Sequence, residues 1–244
     1  MNDTPRPSVP LVLIPGLLLT GDMWAQQVPA LHALGHVHVS EQHRHHDSIG
    51  AIADAVLAEV DGPLAVCGLS MGGYIALEIC RRAPQRVQRL ALLSTGARSE
   101  SAEQTAARDE LIALGRSQGM RAVVDALWPR LVHAPRQGDD ELLQAQYRMA
   151  EETGQTTFER EQNAIKGRRD QRAHLAAIGC PTLIVCGRED RITPHAWSQE
   201  MHAGIAGSEL LSLDGCGHLS AMEQPERVTR TLAQWWTGRP AVQG

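Results

Sequence analysis

Short apolar runs that alternate with amphipathic segments are the feature that most constrains how this chain can fold. Most of the runs are nearly continuous rather than alternating, which is typical of parallel strands covered on both faces. The runs lie at residues 9–14, 37–39, 64–67, 87–93, 181–186 and 209–213. Between them, apolar residues recur at helical spacing, for example over residues 49–60, and Pro225 suits the first turn of the last helix. Repeated strand–helix–strand units predict an α/β fold with a doubly wound, mostly parallel sheet.

One long segment, residues 96–174, interrupts this alternation. It contains only helical patterns, and the first of them begins with a capping-box pair, Ser101 and Gln104. We therefore predict a core domain built from residues 1–95 and 175–244. Residues 96–174 are predicted to be a helical cap or lid inserted into that core.

Composition and charge argue against several classes of function. The 244 residues carry a net charge of −5, with acidic and basic residues alternating throughout, so neither nucleic acid nor a membrane is an expected partner. The longest apolar stretch, residues 11–19, is too short to span a bilayer, and residues 1–10 lack the apolar run of a signal peptide. The five cysteines show no CxxC spacing. We expect a cytoplasmic protein with reduced thiols that acts on a small molecule, and the oligomeric state stays open.

The segment Gly68-Leu69-Ser70-Met71-Gly72-Gly73 follows a predicted strand and opens a predicted helix. A serine in a GxSxG pattern at such a sharp turn is exposed as a nucleophile, and side chains two positions before and after it would collide. Glycine is therefore needed at 68 and 72, while Gly73 lets the helix pack close to the sheet. The pattern is weak on its own, but its place between a strand and a helix makes Ser70 a candidate nucleophile.

A serine hydroxyl needs a base to take its proton, and that base needs a carboxylate to orient it. Asp190 lies in a loop where an apolar strand ends, at the edge where ligands bind in open α/β sheets. His218 follows the next strand, in a loop that begins Gly215-Cys216-Gly217. Alone, Asp190 also fits a turn or helix cap, and His218 also fits a solvated loop. Their order, serine then acid then histidine, favours a catalytic triad.

Together these motifs resemble the α/β-hydrolase family, and the likeness runs over residues 11–236 apart from the insertion. Residues 187–194 resemble the family's GxxDxxxP acid loop, and residues 217–226 resemble its histidine loop. The resemblance implies that Ser70 is the nucleophile, that His218 is first a general base and then a general acid, and that Asp190 orients it. Glu189 is the second choice for the acid.

The resemblance also implies an oxyanion hole made of two backbone N–H groups, those of Leu17 and Met71. The family usually has His-Gly in the loop after the first strand, where this chain has Pro15-Gly16. This departure removes a histidine side chain but leaves the backbone donor at Leu17. Two tryptophans are expected beside the substrate pocket, Trp24 by the same likeness and Trp128 from the insertion, with core packing as the alternative for each.

The imidazole-rich segment 36–47 is the candidate for a metal site. It contains five histidines, but some of them flank a predicted strand, and no set of cysteines or carboxylates completes a ligand geometry. We therefore expect no metal ion, and nothing in the proposed chemistry requires an organic cofactor.

The predicted function is hydrolysis of a small carboxylic ester or a lactone, an enol-lactone in particular, through an acyl-enzyme on Ser70. Carbon–carbon bond hydrolysis and cofactor-free perhydrolysis use a similar triad and remain alternatives. A ligand-binding, receptor-like member of the fold is the non-enzymatic alternative, although a complete triad favours catalysis. Fold and triad do not separate these activities because specificity lies in the pocket.

Overall fold

A computed structural model describes residues 7–238, and within them six strands form one parallel sheet. The strands are β1 (Leu11–Ile14), β2 (Val37–Val39), β3 (Leu64–Leu69), β4 (Val87–Leu93), β5 (Thr182–Gly187) and β6 (Glu209–Leu213). Their order across the sheet is β2-β1-β3-β4-β5-β6. The predicted α/β fold with a parallel sheet is confirmed. β3 and β5 run slightly further than predicted, because Leu69 and Gly187 still pair with Leu93 and Leu213 on neighbouring strands.

Helices connect these strands. They are α1 (Val28–His32), α2 (Ile49–Glu59), α3 (Met71–Arg82), α4 (Ala102–Gln118), α5 (Met120–Leu131), α6 (Asp140–Lys166), α7 (His195–Gly204), α8 (Ser220–Glu223) and α9 (Pro225–Trp236). Short 3-10 turns lie at Gly21–Trp24, Gln42–Arg44, Ala134–Arg136 and Arg172–Ala177. Local sequence explains several of the helix ends. The Ser48 hydroxyl caps α2 by accepting the N–H of Ala51 at 3.2 Å, and Pro84 follows the end of α3.

The side chains of the central strands alternate between two apolar cores, one on each face of the sheet. In β1, Leu11 and Leu13 belong to the core that α9 covers, whereas Val12 and Ile14 belong to the core that α2 and α3 cover. All four side chains are fully buried. Since no position in such a strand faces water, its sequence is a continuous apolar run.

Within the described chain, the helices between β4 and β5 are α4, α5 and α6. They enclose a third apolar cluster, which also takes in Leu18 from the loop after β1. The capping box of Ser101 and Gln104 forms at the start of α4. Pro129 lies inside α5, which ends soon afterwards at Leu131. The fold therefore has the helical insertion, while the division into domains at 96 and 174 stays a prediction.

Among residues 7–238, no helix combines the length and apolar character needed to cross a membrane. Residues 1–6, on which part of the signal-peptide interpretation depends, lie outside the described range. The five cysteines all carry free thiols.

The start of α3 packs against the sheet more closely than a side chain would permit. A Cβ atom at Gly68 would lie 2.1 Å from the carbonyl oxygen of Gly72, and one at Gly72 would lie 2.2 Å from the carbonyl oxygen of Ile14. Both neighbours are backbone atoms of packed elements, which have no space to move into. The two glycines therefore let the end of β3, the start of α3 and the end of β1 meet at one point.

We expect Gly72→Ala to lower the free energy of unfolding by at least about 1–3 kcal/mol, because the backbone must shift to admit a methyl group. Gly179→Ala is the matched control, since nothing lies within 4 Å of a Cβ atom there. The control should change stability by less than about 1 kcal/mol. Urea unfolding followed by circular dichroism measures both variants. Equal stability of the two variants would contradict the close packing at Gly72.

Candidate active site

Ser70 occupies a strained turn between β3 and α3. Its φ is +56° and its ψ is −114°, a region that residues with a side chain rarely adopt. The N–H of Ser70 donates to the carbonyl of Leu93 at 2.9 Å, and the hydroxyl of Thr95 donates to the carbonyl of Ser70 at 2.7 Å. Contacts from the end of β4 therefore hold the backbone that presents the Ser70 hydroxyl.

Ser70, His218 and Asp190 form a continuous series of hydrogen bonds. Oγ of Ser70 lies 2.9 Å from Nε2 of His218, and Nδ1 of His218 lies 2.8 Å from Oδ2 of Asp190. When Nδ1 donates its proton to Asp190, Nε2 is free to accept the proton of Ser70. The structure thus brings together the three residues that the motifs indicated, each from the carboxyl end of a different strand.

Asp190 is buried but has a pKa below its ordinary value. Burial raises the pKa, and the positive charge of His218 together with hydrogen bonds from His218 and Thr193 outweighs that effect. Oδ1 of Asp190 accepts the N–H groups of Ile192 and Thr193 at 2.8 and 2.9 Å, and Oδ2 accepts the Thr193 hydroxyl at 2.7 Å. The carboxylate is therefore both ionised and fixed in orientation. No motif indicated Thr193, although its place three residues after a loop aspartate is a recognisable turn pattern.

Glu189, the second choice for the acid, has a different partner. Its carboxylate accepts the N–H of Cys216 at 3.0 Å. It makes no hydrogen bond with His218 in the described structure. Glu189 therefore ties the loop after β5 to the loop after β6, while Asp190 contacts the imidazole.

Glu223 also fixes the loop that carries His218. Its buried carboxylate accepts the N–H of Gly217 at 3.0 and 3.1 Å and the N–H of His133 at 2.9 Å. The N–H of His218 itself donates to the carbonyl of Leu131, the last residue of α5, at 2.7 Å. The position of the imidazole thus depends on the insertion as well as on the sheet.

The loop after β1 lies directly against Ser70. A Cβ atom at Gly16 would come 3.2 Å from Cβ of Ser70. Leu17 lines the same cavity as Ser70, and Met71 is the first residue of α3, where N–H groups have no partner within the helix. Both residues named as oxyanion donors are therefore close to the nucleophile, and their role stays a prediction.

Polar side chains of α6 bind the same loop. The N–H of Leu18 donates to Glu161 at 3.2 Å, and the side-chain amide of Gln146 donates to the carbonyl of Leu18 at 3.1 Å. Nε2 of His43 lies 3.0 Å from the carbonyl oxygen of Leu19 and 3.6 Å from the Glu161 carboxylate. Burial raises the pKa of Glu161 to about 8 and lowers that of His43 to about 4. The motifs did not indicate Glu161 or Gln146, because a polar residue on a helix is ordinarily assigned to the exposed face.

A cavity opens at Ser70 and His218 beneath the helices between β4 and β5. Its apolar walls include Leu17, Leu111, Val124, Leu127, Leu131 and Ile165. Polar groups lie among them, notably Tyr74 and Arg108. Apolar walls with a few polar groups are typical of a small-molecule site.

Trp24 and Trp128 lie elsewhere. Both belong to the core cluster on the α9 side of the sheet, and neither lines the cavity at Ser70. Trp24 is fully buried, and the indole N–H of Trp128 donates to the carbonyl of Gln137 at 2.9 Å. The structure therefore departs from the expectation that these side chains flank the pocket, because burying a large aromatic ring in the core is strongly favourable.

The imidazole-rich segment does not converge on one point. His38 bonds to Glu59 at 3.0 Å, whereas His43 packs beneath the loop after β1. Among residues 7–238, no group of three or more His, Cys, Asp or Glu side chains is arranged to hold a metal ion.

The chain is similar to known proteins both in sequence and in structure. A model of the alpha/beta hydrolase family matches residues 11–231. The pimeloyl-[acyl-carrier protein] methyl ester esterase of Neisseria meningitidis serogroup C is 29% identical over 184 residues, which cover 73% of this chain and 71% of that protein. A thermophilic esterase from Thermogutta terrifontis superposes with a TM-score of 0.85 at 27% identity, covering 94% of this chain and 90% of that one. The enol-lactonase from Burkholderia xenovorans LB400 has a TM-score of 0.85 at 28% identity, covering 94% and 91% of the two chains.

The raised pKa of Glu161 predicts a pH dependence of stability. Between its unfolded pKa near 4.5 and its folded pKa of about 8, the carboxyl keeps its proton when folded and loses it when unfolded. Its contribution to stability is therefore complete below the unfolded pKa and is lost as the pH rises through the folded pKa. We expect the wild type to lose stability relative to Glu161→Gln from about pH 5 to pH 8, by at most about 1.4 kcal/mol per pH unit.

Urea titrations at several pH values measure this difference. Glutamine does not titrate and keeps an oxygen that can accept the N–H of Leu18. Glu159→Gln on the same helix is the control, because the pKa of Glu159 is lowered to about 2 by its hydrogen bond with Arg116 and it stays ionised throughout. Parallel stability curves for the wild type and Glu161→Gln would show that Glu161 is not a protonated buried acid.

Proposed function

We propose that this chain, which belongs to the alpha/beta hydrolase family, is a serine hydrolase that cleaves a small carboxylic ester or a lactone. The observation that carries the proposal is the 2.9 Å contact between Oγ of Ser70 and Nε2 of His218, at the wall of a cavity. A hydroxyl with a base at this distance is an activated nucleophile. The relatives described above are a methyl ester esterase, an esterase and an enol-lactonase, which supports the same reaction class.

In the first half of the proposed reaction, Oγ of Ser70 attacks the carbonyl carbon of the ester while its proton moves to Nε2 of His218. Asp190, ionised and bonded to Nδ1, stabilises the imidazolium that forms. The imidazolium then returns the proton to the alkoxide oxygen that leaves. An acyl group remains on Ser70, and the alcohol departs, or stays attached when the substrate is a lactone.

In the second half, water replaces the leaving group. His218 takes one proton from the water as its oxygen attacks the acyl carbon, and returns that proton to Oγ of Ser70 when the acyl–oxygen bond breaks. The products are a carboxylic acid and the alcohol, and the triad returns to its starting state. The chain's own side chains supply every proton transfer in this sequence.

The negative charge that develops on the carbonyl oxygen needs hydrogen-bond donors. We assign this role to the N–H groups of Leu17 and Met71. These residues follow Gly16 and Ser70, which lie close together in the structure. Glu161 and Gln146 support the first donor because they bind the next residue, Leu18. Losing one such donor typically lowers the rate about a hundredfold to a thousandfold.

We propose as well that residues 96–174 act as a cap over the site. Leu111 from α4, and Val124 and Leu127 from α5, line the cavity that contains Ser70. An apolar roof excludes water from the reacting carbonyl and sets which acyl chains fit.

Labelling with a fluorophosphonate probe tests the nucleophile. The probe should bind the wild type covalently and fail to label Ser70→Ala. Ser94→Ala is the matched control, because Ser94 is also buried with a positive φ at a strand end and does not line the cavity. Unlabelled wild type, or equal labelling of Ser70→Ala, would refute a serine nucleophile.

Replacement of the acid tests the triad. We expect Asp190→Asn to lower kcat by about a thousandfold to ten-thousandfold, since the amide cannot orient and stabilise the imidazolium as the carboxylate does. Glu189→Gln should lower kcat by less than about tenfold, because it changes only a loop contact. Both rates are measured on an activated ester, with circular dichroism to check folding. A larger loss in Glu189→Gln than in Asp190→Asn would reverse the assignment.

A further inference from the structure

Two arginines share one carboxylate beside the cavity. Nε of Arg108 donates to Oε2 of Glu100 at 2.8 Å, and its Nη1 donates to the side-chain oxygen of Gln162 at 2.7 Å. Arg168 donates to the same oxygen of Glu100. We call these four residues, Glu100, Arg108, Gln162 and Arg168, the Arg108 cluster. It contains two guanidinium groups and one carboxylate, so it carries an excess positive charge.

This excess charge lies mostly away from water. The side chains of Glu100 and Arg168 are 1% and 3% exposed, and that of Arg108 is 18% exposed. Nη2 of Arg168 is buried without a hydrogen-bond partner among the described residues. One carboxylate does not neutralise two guanidinium groups, and an uncompensated buried charge is costly. An anion bound at Arg108, the arginine of the cluster that lines the cavity, would therefore stabilise the cluster.

Arg108 is the member of the cluster that such an anion can reach. It lines the cavity together with Ser70 and His218. Its Nε and Nη1 are occupied, while its Nη2 has no partner within residues 7–238. Glu100 also lines the cavity, but its Oε2 is bound by both arginines and its Oε1 is buried from solvent. The surface that the cluster presents to the cavity is therefore a hydrogen-bond donor with a positive charge.

A second hydrogen-bond donor lies at the wall of the same cavity. Tyr74 lines the same cavity and lies one turn after Ser70, about 6 Å along α3. Its hydroxyl has no hydrogen-bond partner among the described residues, and burial raises its pKa, so it stays protonated. The guanidinium of Arg168 stacks on the Tyr74 ring, 4.3 Å from its centre. This contact fixes the ring beside the cluster.

We propose that the substrate carries a carboxylate at the end remote from the scissile bond, and that Nη2 of Arg108 and the hydroxyl of Tyr74 bind it. This inference rests on the proposed hydrolase function. Two donors suit the two oxygens of a carboxylate, and the apolar walls of the cavity suit the methylene chain that joins the two ends. The substrate class is thus a monoester of a dicarboxylic acid, or a lactone that bears a carboxylate. Arg130, also at the cavity, adds positive charge that attracts such a substrate.

The test compares esters that differ only in the remote charge. Monomethyl succinate, glutarate and adipate are each paired with the methyl ester of the unbranched monocarboxylic acid that has the same number of acyl carbons. Hydrolysis is followed by proton release at constant pH. For at least one pair, we expect kcat/KM of the wild type to favour the charged ester by about tenfold or more.

Substitution of the two donors identifies the source of this preference. Arg108→Met should lower the ratio of charged to neutral kcat/KM by about tenfold to a hundredfold, chiefly through KM. Tyr74→Phe keeps the ring beneath Arg168 and should lower the ratio severalfold. Arg116→Met is the matched control, since Arg116 lies on the same helix and also bonds to a side chain of α6, that of Glu159, but does not line the cavity. The control should keep the wild-type ratio.

A second measurement does not depend on turnover. Adipate should slow fluorophosphonate labelling of Ser70 in the wild type, and Arg108→Met should need at least about tenfold more adipate for the same protection. If Ser70 is labelled but adipate gives no protection and no ester pair shows a preference, the carboxylate site is overturned while the serine hydrolase stands. If Arg108→Met lowers kcat/KM for charged and neutral esters equally, Arg108 is structural and the site is likewise overturned. Failure of labelling in the wild type would instead refute the proposed function itself.

Discussion

A serine held at φ +56° costs on the order of 1–3 kcal/mol of backbone strain, and the surroundings of Ser70 are arranged to sustain it. The end of β4 supplies two hydrogen bonds to its peptide groups, from Leu93 and Thr95. Gly68 and Gly72 allow backbone atoms to meet where a Cβ atom would lie within about 2 Å of a carbonyl oxygen. The strain is thus maintained by a sheet that is buried on both faces and has little freedom to relax.

The helical insertion is joined to this site by more than apolar packing. Its α6 helix binds both polar groups of Leu18, and the last residue of α5 accepts the N–H of His218. Glu223 adds a bridge from the histidine loop to His133. A movement of these helices would therefore displace both the loop after β1 and the imidazole of His218. The shape of the cavity is thus coupled to the geometry around the substrate carbonyl.

Much of the architecture could be predicted from the sequence. Each predicted strand appears. For β1, β3 and β5 the reason is that burial on both faces leaves a continuous apolar run in the sequence. The three residues of the triad could be predicted for a related reason. Each follows a strand within a few residues, and the carboxyl ends of parallel strands lie at one edge of the sheet. Trp24 and Trp128 were placed less well, because a sequence does not record whether an aromatic ring faces a core or a cavity.

The amino-acid sequence by itself determined the fold class, the strained serine between β3 and α3, and the order of acid and base, because periodicity and short motifs are properties of contiguous residues. Only the tertiary structure decided which polar groups are buried together. The contact between Leu18 and Glu161 joins residues 143 positions apart. Arg168 and Glu100, which meet beside Arg108, are 68 positions apart. Such juxtapositions set the electrostatics of the cavity and have no local pattern, because they arise from the packing of elements that are distant along the chain.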